Sequence, residues 1–336
     1  MHGLRWFGVT LVFVLMAGLV GPRAAADEAK SAEDEPVVRE AIIEETSVGE
    51  NIAETAAPGW TYPKAYASRP LTMNKFMIRG TISVDTKRGF VDRSTGTQTA
   101  KPLVAIDLGV AFSVFDNLEV GVSNYRLGST AGNTAQGIFP IIVSPVGGFG
   151  DMPLYVRYSF LRKDYVEMAS DFVLLVPSLT NLAATFGLPV RIRARRPLTV
   201  DTGMELVVLS NGAGLNVELP VKATYSITAS GFIFGESGFS FQNLARNITG
   251  GSYYDTSLAF PVDRNQIFIP LAVGGGYTHV VKDIVMLDVF ARFGWNPFAY
   301  LNPPTGVNAV PAADSWVLSV GVLIHTSPIL HEVEPN

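Results

Sequence analysis

The chain of 336 residues is 48% hydrophobic and only 16% charged, contains 32 Gly and no Cys, and carries a formal charge of −5. Such a composition excludes a disordered, collagen-like or coiled-coil protein and favours lipid contact or a wholly buried sheet. Without Cys there is no disulfide framework, thiolate nucleophile or Cys-ligated zinc, and the negative charge gives no electrostatic reason to expect nucleic acid as a partner.

Residues 1–26 have the pattern of a secretory signal peptide. Arg5 supplies the positive start, residues 6–20 form an apolar run, and residues 24–26 offer an A-x-A cleavage site before Asp27. The alternative is an uncleaved membrane anchor, for which this run is short, since a spanning helix needs about 20 residues. We therefore expect cleavage and export.

Residues 27–70 differ in composition from everything that follows. Residues 27–59 contain ten acidic side chains but only two basic ones, Lys30 and Arg39. We interpret 27–70 as an acidic, flexible periplasmic lead-in that is not part of any barrel wall. A role for it as a plug or as a partner-binding arm stays open.

From Leu71 onward the hydrophobic period becomes two, which is typical of β-strands. Within residues 102–114, large apolar residues alternate with small or charged ones, at Val104, Ile106, Leu108, Val110, Phe112 and Val114. The chain then turns at Asp116 and Asn117 and resumes the same alternation, which recurs as far as His325. After the signal peptide no apolar stretch is long enough for a transmembrane helix, so the hydrophobicity is spread over short strands.

The connections between these strands alternate in length. Within residues 71–325 we count about twelve strands, joined by long connections near 86–100, 128–150, 177–186, 242–265 and 296–313 and by short ones near 116–117, 161–164, 196–198, 226–229 and 282–283. Long loops at one rim and tight turns at the other are typical of an outer-membrane barrel.

We therefore predict an all-β protein, a transmembrane antiparallel up-and-down β-barrel over 71–325 with long extracellular loops and short periplasmic turns. Residues 326–336 form a periplasmic tail in this interpretation. A secreted or periplasmic all-β protein is the alternative.

Charged residues fall on the strand face opposite to the apolar one, which points into the lumen of a barrel. The candidate lumen or constriction residues are Arg191, Arg193, Arg195, Asp201, Glu205, Arg157, Glu167, Asp171, Glu218, Lys222, Asp288 and Arg292. A three-residue turn at 196–198 would set Arg193 beside Asp201. The set is either a neutralising salt-bridge ladder that fills the lumen or a row of Arg facing acids across a constriction that selects solutes.

Two segments, FDNLEVGVSNYRL (115–127) and GFGDMPLYVRYSFL (148–161), resemble the strand-turn-strand and strand-opening motifs of outer-membrane channels of the phenol-degradation meta-pathway type. The resemblance covers residues 100–175. It implies an outer-membrane channel for small molecules, including aromatic or apolar ones.

Three function classes follow from these patterns. A passive or selective outer-membrane channel leads, a non-conducting structural or adhesive barrel is the alternative, and an enzyme is not expected, because His279, His325 and His331 lack a catalytic constellation at the outer rim. We expect no cofactor and no metal. The expected partners are outer-membrane lipid, a small-molecule solute and the barrel-assembly machinery; the sequence leaves the oligomeric state and the solute open.

Overall fold

The computed structural model describes residues 62–87, 91–92, 97–98, 103–122, 139–144, 148–149, 152–176, 183–209, 214–242, 244, 266–281, 284–303 and 316–326. All of the described residues belong to one compact unit. The expected signal peptide, most of the acidic lead-in and residues 327–336 lie outside the described residues.

The described part of the chain is built almost entirely of strands, with one short 3-10 helix, Tyr66–Ser68. The strands are β1 (Ile78–Lys87), β2 (Val91–Asp92), β3 (Thr97–Gln98), β4 (Leu103–Phe115), β5 (Leu118–Val122), β6 (Phe139–Ser144), β7 (Gly148–Phe149), β8 (Met152–Arg162), β9 (Val166–Val176), β10 (Ala183–Arg195), β11 (Leu198–Leu209), β12 (Gly214–Ser226), β13 (Gly231–Gln242), β14 (Gln266–Val281), β15 (Val285–Tyr300) and β16 (Trp316–Thr326).

Twelve of these strands form a closed antiparallel barrel. Neighbouring strands pair in the order β1-β16-β15-β14-β13-β12-β11-β10-β9-β8-β5-β4, and β1 pairs with β4 to close the ring. Closure gives each of the twelve strands a hydrogen-bonded neighbour on both sides, so backbone N–H and C=O groups pair around the ring, and β6 and β7 extend the sheet from β4. The predicted antiparallel β-barrel of about twelve strands is confirmed.

The two ends of the barrel differ. Strands are joined by short connections near Asp116, Asp164, Arg196, Ser230 and Ile284 at one end, which we call the turn end. At the other end, the loop end, the connections are longer, except for the four-residue connection between β11 and β12. The first strand, β1, begins at the turn end, and the last strand, β16, ends there. The chain therefore enters and leaves the barrel wall at the same rim. The expected separation into a short-turn rim and a long-loop rim is therefore found.

All five expected long loops contain some strand: β1 extends to Lys87 and β2 and β3 lie within 86–100, and β13 extends to Gln242 at the start of 242–265. Within 128–150, β6 pairs with the loop-end half of β4, whereas β5 pairs with its turn-end half. Strand β10 begins at Ala183, inside the expected 177–186 loop, and β15 extends to Tyr300, inside the expected 296–313 loop. The lengths of these loops were overestimated because the strands continue beyond the apolar stretches from which they were predicted.

The period-two pattern correctly assigns the two faces of the wall. On β8, Leu154, Val156 and Tyr158 are exposed on the outside, whereas Tyr155 and Arg157 are buried in the lumen. The same division holds on β4, β9, β10, β12 and β16. A one-residue error in reading the pattern would have assigned every side chain to the wrong face. The agreement between the pattern and the observed burial therefore establishes which side chains line the lumen.

The barrel wall begins later in the chain than expected. We expected it at Leu71, but β1 begins at Ile78. Residues 71–77 alternate as a strand would, yet Leu71, Met73 and Met77 are buried among lumen side chains. Thr72 between them is also fully buried, so the wall encloses this segment on more than one face.

A bend joins this segment to β1. Phe76 has φ 63°, in the left-handed region that non-glycine residues rarely adopt, and its N–H donates to Ser113 O at 2.7 Å. Its ring packs 6.4 Å from that of Phe112 on the outer face. The bend therefore carries the chain from the lumen into the wall.

One row of the wall consists only of Pro and Gly. Pro189, Gly203, Pro220, Gly238 and Pro270 lie opposite one another on β10–β14 and face the lumen. Gly203 and Gly238 have φ of 153° and 150°, and a Cβ on either would lie 2.3 Å from a carbonyl oxygen of the neighbouring strand. Glycine is thus required at both positions, and the wall carries no long side chain at this level.

Candidate functional site

A row of alternating charges crosses the lumen wall on the turn side of the Pro–Gly row. Its members are directly opposite one another on β9–β13: Glu167, Arg191, Asp201, Lys222 and Glu236. Arg191 Nε lies 2.6 Å from Asp201 Oδ1, and Lys222 Nζ lies 3.7 Å from Glu236 Oε1. We call these five residues the charged row. Its charges largely neutralise one another, as cross-strand pairs of opposite sign do.

The segment 62–77 lies inside the barrel. Its side chains Met73 and Met77 are fully buried and pack with Tyr62 against inward residues of β4, β8, β9 and β15: Ala111, Tyr155, Val173 and Met286. Because it contacts inward side chains on most strands of the ring, the segment occupies the turn-end part of the lumen. We call 62–77 the plug.

Arg69 anchors the plug to β15. Its guanidinium donates to Asp288 Oδ2 at 2.5 Å and to Oδ1 at 2.8 Å, and both side chains are almost fully buried. Asp288 also accepts from Thr278 Oγ1 at 2.7 Å and lies 3.0 Å from His325 Nε2. Burial alone would lower the pKa of Arg69, but the carboxylate of Asp288 outweighs it and raises that pKa. Arg69 is therefore a permanently charged anchor.

Aromatic rings surround the same guanidinium. Its Cζ lies 4.8 Å from the ring centroid of Tyr66 and 5.7 Å from that of Tyr62. Tyr66 stacks on Phe232 with centroids 4.3 Å apart, and Lys222 Nζ lies 4.5 Å from the ring of Phe234. Burial raises the pKa of both tyrosines, so both hydroxyls stay neutral. Cation–π contacts thus complement the ion pair.

The wall also holds the plug through its backbone. At Ala67 the N–H donates to Ser226 Oγ at 3.1 Å, and the carbonyl accepts from Thr199 Oγ1 at 2.5 Å. The carbonyl of Arg69 accepts from Arg191 Nη1. A member of the charged row therefore contacts the plug directly.

Two further plug residues are bound in the same way. The N–H of Leu71 donates to Glu167 Oε2 at 2.7 Å, and its carbonyl accepts from Arg157 at 2.9 Å. The N–H of Met73 donates to Glu119 Oε2 at 3.1 Å, and its carbonyl accepts from Ser113 Oγ at 2.9 Å. Wall side chains thus satisfy both backbone groups of Ala67, Leu71 and Met73 and the carbonyl of Arg69, whereas the N–H of Arg69 donates to Tyr66 O at 3.3 Å within the plug, as buried polar groups require.

Most of the predicted lumen residues do line the lumen. Arg157 pairs with Asp171 at 2.8 and 3.1 Å, and Arg292 pairs with Glu236 at 2.6 Å. Glu205 and Glu218 are buried nearer the loop end. Arg195, in contrast, is exposed at the turn-end rim, so it does not line the lumen.

The expected pairing of Arg193 with Asp201 is wrong. Asp201 is opposite Arg191, and Arg193 Nη2 instead lies 2.7 Å from Glu167 Oε1. The β10–β11 turn is two residues long, with a register shift between Arg193 and Arg195. The shorter turn and the register shift each move the partner of Asp201 along β10 by one residue, so the partner changes from Arg193 to Arg191 and stays on the same face.

Three functional residues were missed. Arg69 and Tyr66 lie in the lead-in segment, whose acidic composition predicted a solvated chain. Nothing in the local sequence indicates that Arg69 pairs with the carboxylate of Asp288, 219 residues later. Glu236 was detectable, because the FIFGES stretch from 232 to 237 alternates and places it inward.

Within the described residues, no group of three or more His, Asp or Glu is arranged to hold a metal ion. In the same part of the chain, no helix is long and apolar enough to cross a membrane.

No family model and no curated protein matches the sequence. Solved structures that resemble the chain include an outer membrane channel from Pseudomonas putida F1 (TM-score 0.46, 9% identity, 77% of this chain and 97% of the other). Others are the NanC porin (TM-score 0.44, 8% identity, 72% and 98%) and a Pseudomonas aeruginosa FadL homologue (TM-score 0.37, 8% identity, 84% and 96%). The expected resemblance to bacterial outer-membrane barrels is found; at these values it says nothing about the solute of this chain.

Proposed function

We propose that this protein is an outer-membrane channel for small molecules whose lumen is restricted by its own plug. The observation that carries the proposal is the distribution of side chains on the two faces of a closed barrel. The outside is apolar and the inside is polar, which is the reverse of a soluble protein.

The outer face supports a lipid environment. Large apolar side chains are exposed on strands around the ring, among them Ile82, Val110, Phe186, Met204, Ile233, Val273, Val289 and Val320. A soluble monomer rarely exposes a contiguous apolar patch beyond about 300–600 Å². An apolar belt that surrounds the barrel is explained if lipid acyl chains cover it, and therefore if the barrel is inserted in a membrane.

Aromatic side chains flank this belt. Tyr158, Tyr225 and Tyr277 are exposed near the turn end. Near the loop end Trp295 and Trp316 are directly opposite each other, and Trp295 lies 4.8 Å from the ring of Phe293. Tyr and Trp favour the two interfaces of a bilayer, so the two girdles support a spanning orientation.

The plug is the specific observation that favours the alternative, a non-conducting structural barrel. It fills the turn-end lumen and is held by the buried Arg69–Asp288 ion pair and by hydrogen bonds between its backbone and charged wall side chains. A channel then requires the plug to shift, whereas a structural barrel requires it to stay. The two functions therefore make opposite demands on the same contacts.

Solute flux into proteoliposomes tests the proposal. The folded protein, identified by a heat-modifiable gel shift, should admit small neutral solutes slowly and exclude larger ones. A variant with a loosened plug, Arg69→Met, should admit them faster. Absence of flux in both proteins would favour the structural barrel, and folding in aqueous buffer without detergent would contradict membrane insertion.

A further inference from the structure

The plug backbone is bound by one wall side chain from each of seven neighbouring strands. In the order in which β12, β11, β10, β9, β8, β5 and β4 pair around the ring, these side chains are Ser226, Thr199, Arg191, Glu167, Arg157, Glu119 and Ser113. The plug residues that they bind follow one another in the same order: Ala67, Arg69, Leu71 and Met73. We call the seven wall residues the plug-binding side chains. They present a continuous series of donors and acceptors to a chain that crosses the wall.

All seven hydrogen bonds end on a peptide N–H or carbonyl of the plug. Hydroxyl and carboxylate oxygens accept from the N–H groups of Ala67, Leu71 and Met73. Hydroxyl and guanidinium groups donate to the carbonyls of the same residues and of Arg69. Every amino acid except proline offers both of these backbone groups. The wall therefore recognises a peptide chain through groups that do not depend on its side chains.

The charged plug-binding side chains also have ion-pair partners on the wall. These pairs are Arg191–Asp201, Glu167–Arg193, Arg157–Asp171 and Glu119–Arg79. Because both partners of each pair belong to the barrel wall, charge is balanced there with or without the plug. Such a surface favours uncharged amide groups as ligands, since an additional buried ion would have no counter-charge.

Asp288 differs from these residues, because the guanidinium that binds it at 2.5 and 2.8 Å belongs to the plug. The side chain of Asp288 is completely buried. If the plug leaves, this carboxylate loses a buried ion-pair partner, which is strongly unfavourable. A ligand that replaces the plug is therefore favoured if it carries a basic side chain at the position of Arg69.

We propose that the lumen binds short peptides that carry a basic side chain, and that the plug occupies their site as an intramolecular substitute. The peptide follows the path of residues 67–73, with its backbone on the plug-binding side chains and its basic side chain on Asp288. The space for the peptide is the space that the plug fills, so the peptide and the docked plug exclude each other. The proposal rests on the proposed channel function, for which it names the class of solute.

Calorimetric titration of the folded full-length protein in a non-ionic detergent, with empty micelles as blank, tests this site without any conductance. The probe is the acetylated and amidated heptapeptide ASRPLTM, which has the sequence of residues 67–73. The Arg69→Met variant should bind this peptide at least about tenfold more tightly than the wild-type protein does. The reason is that a ligand binds only the fraction of molecules whose site is free, and the wild-type plug occupies the site.

Two modified peptides separate the side-chain contact from the backbone contacts. A peptide with uncharged citrulline in place of its arginine should bind the Arg69→Met variant at least about tenfold more weakly, because the charge-assisted bonds to Asp288 are lost. A peptide with N-methyl groups on its leucine and methionine amides lacks the donors for Glu167 and Glu119. Its affinity should fall by a similar factor, because two buried carboxylates each lose a donor.

Two threonines provide a matched pair of wall variants. Thr199 and Thr224 are directly opposite each other on adjacent strands, and both are buried. Thr199 Oγ1 donates to the carbonyl of Ala67, whereas Thr224 Oγ1 has no hydrogen-bond partner in the described part of the chain. In the Arg69→Met background, Thr199→Val should weaken peptide binding about fivefold, the equivalent of one hydrogen bond. Thr224→Val should leave the affinity unchanged.

A second measurement uses the wild-type plug and applies even if the Arg69→Met variant does not give the heat-modifiable folded band. Thr72 is fully buried in the plug, and an excess of the heptapeptide should speed modification of a Thr72→Cys variant by a charged thiol reagent. The peptide does so by occupying the site when the plug is released, and the citrulline peptide should have less effect.

Several results would overturn the proposal: equal affinity for the three peptides, equal affinity of the wild-type and Arg69→Met proteins, equal effects of the two threonine variants, no binding, or a labelling rate that does not respond to the peptide. Flux measurements decide the channel function separately.

Discussion

The Arg69–Asp288 ion pair offers a direct perturbation of the plug. The pair is buried, with side chains 4% and 0% exposed, and removing one partner of such a pair costs about 3–5 kcal/mol. Asp288 keeps its contacts with Thr278 and His325 in an Arg69→Met variant, so we take the lower value, about 3 kcal/mol. If this free-energy cost destabilises the docked plug relative to the released plug, the population of the released plug rises about a hundredfold.

Thiol labelling measures this population, because the chain contains no native Cys. Thr72 is fully buried in the plug, and the Thr72→Cys variant introduces a side chain of similar size there. A charged, membrane-impermeant thiol reagent should modify this variant slowly, and about a hundredfold faster when Arg69→Met is added.

A wall variant provides the control. Arg292→Met breaks a buried pair with Glu236 on the wall and should leave the labelling rate of the Thr72→Cys variant almost unchanged, although the barrel itself becomes less stable. Equal labelling rates with and without Arg69→Met would refute the anchoring role of Arg69.

Three other predictions concern the wall. Val110→Arg, at a fully outward position, should destabilise the barrel in a bilayer by about 2–4 kcal/mol, measured by denaturant unfolding; equal stability would place Val110 outside lipid. Gly238→Ala should reduce folding yield while Gly235→Ala, which meets nothing within 4 Å, should not; equal yields would contradict the close strand approach. Arg191→Ser should speed thiol labelling in the Thr72→Cys background, because Arg191 binds the carbonyl of Arg69, and Arg195→Ser at the rim should not; the reverse order would contradict the register of β10.

The sequence could predict which side chains face outward and which face the lumen, because this depends only on the alternation of apolar and polar residues along each strand. Leu154, Val156 and Tyr158 needed no knowledge of their neighbours to be placed outside. The ion pairs were less accessible, because they depend on register across strands. A turn one residue shorter than expected and a one-residue shift at Arg195 together exchange Arg193 for Arg191 as the partner of Asp201.

The plug was not predictable, for two physical reasons. The alternation of residues 71–77 is indistinguishable from that of a strand. The contacts that hold the plug come from side chains such as Glu119, Asp288 and Arg157, far along the chain. The Pro–Gly row was also hidden, because its five members are far apart in sequence and meet only through the register.

Single-channel recording in a planar bilayer tests most directly whether the barrel is a channel restricted by its plug. The account predicts rare, small current steps for the wild-type protein and more frequent or larger steps for Arg69→Met. Silence of both folded, inserted proteins would contradict the channel, and identical open currents in both would contradict the plug.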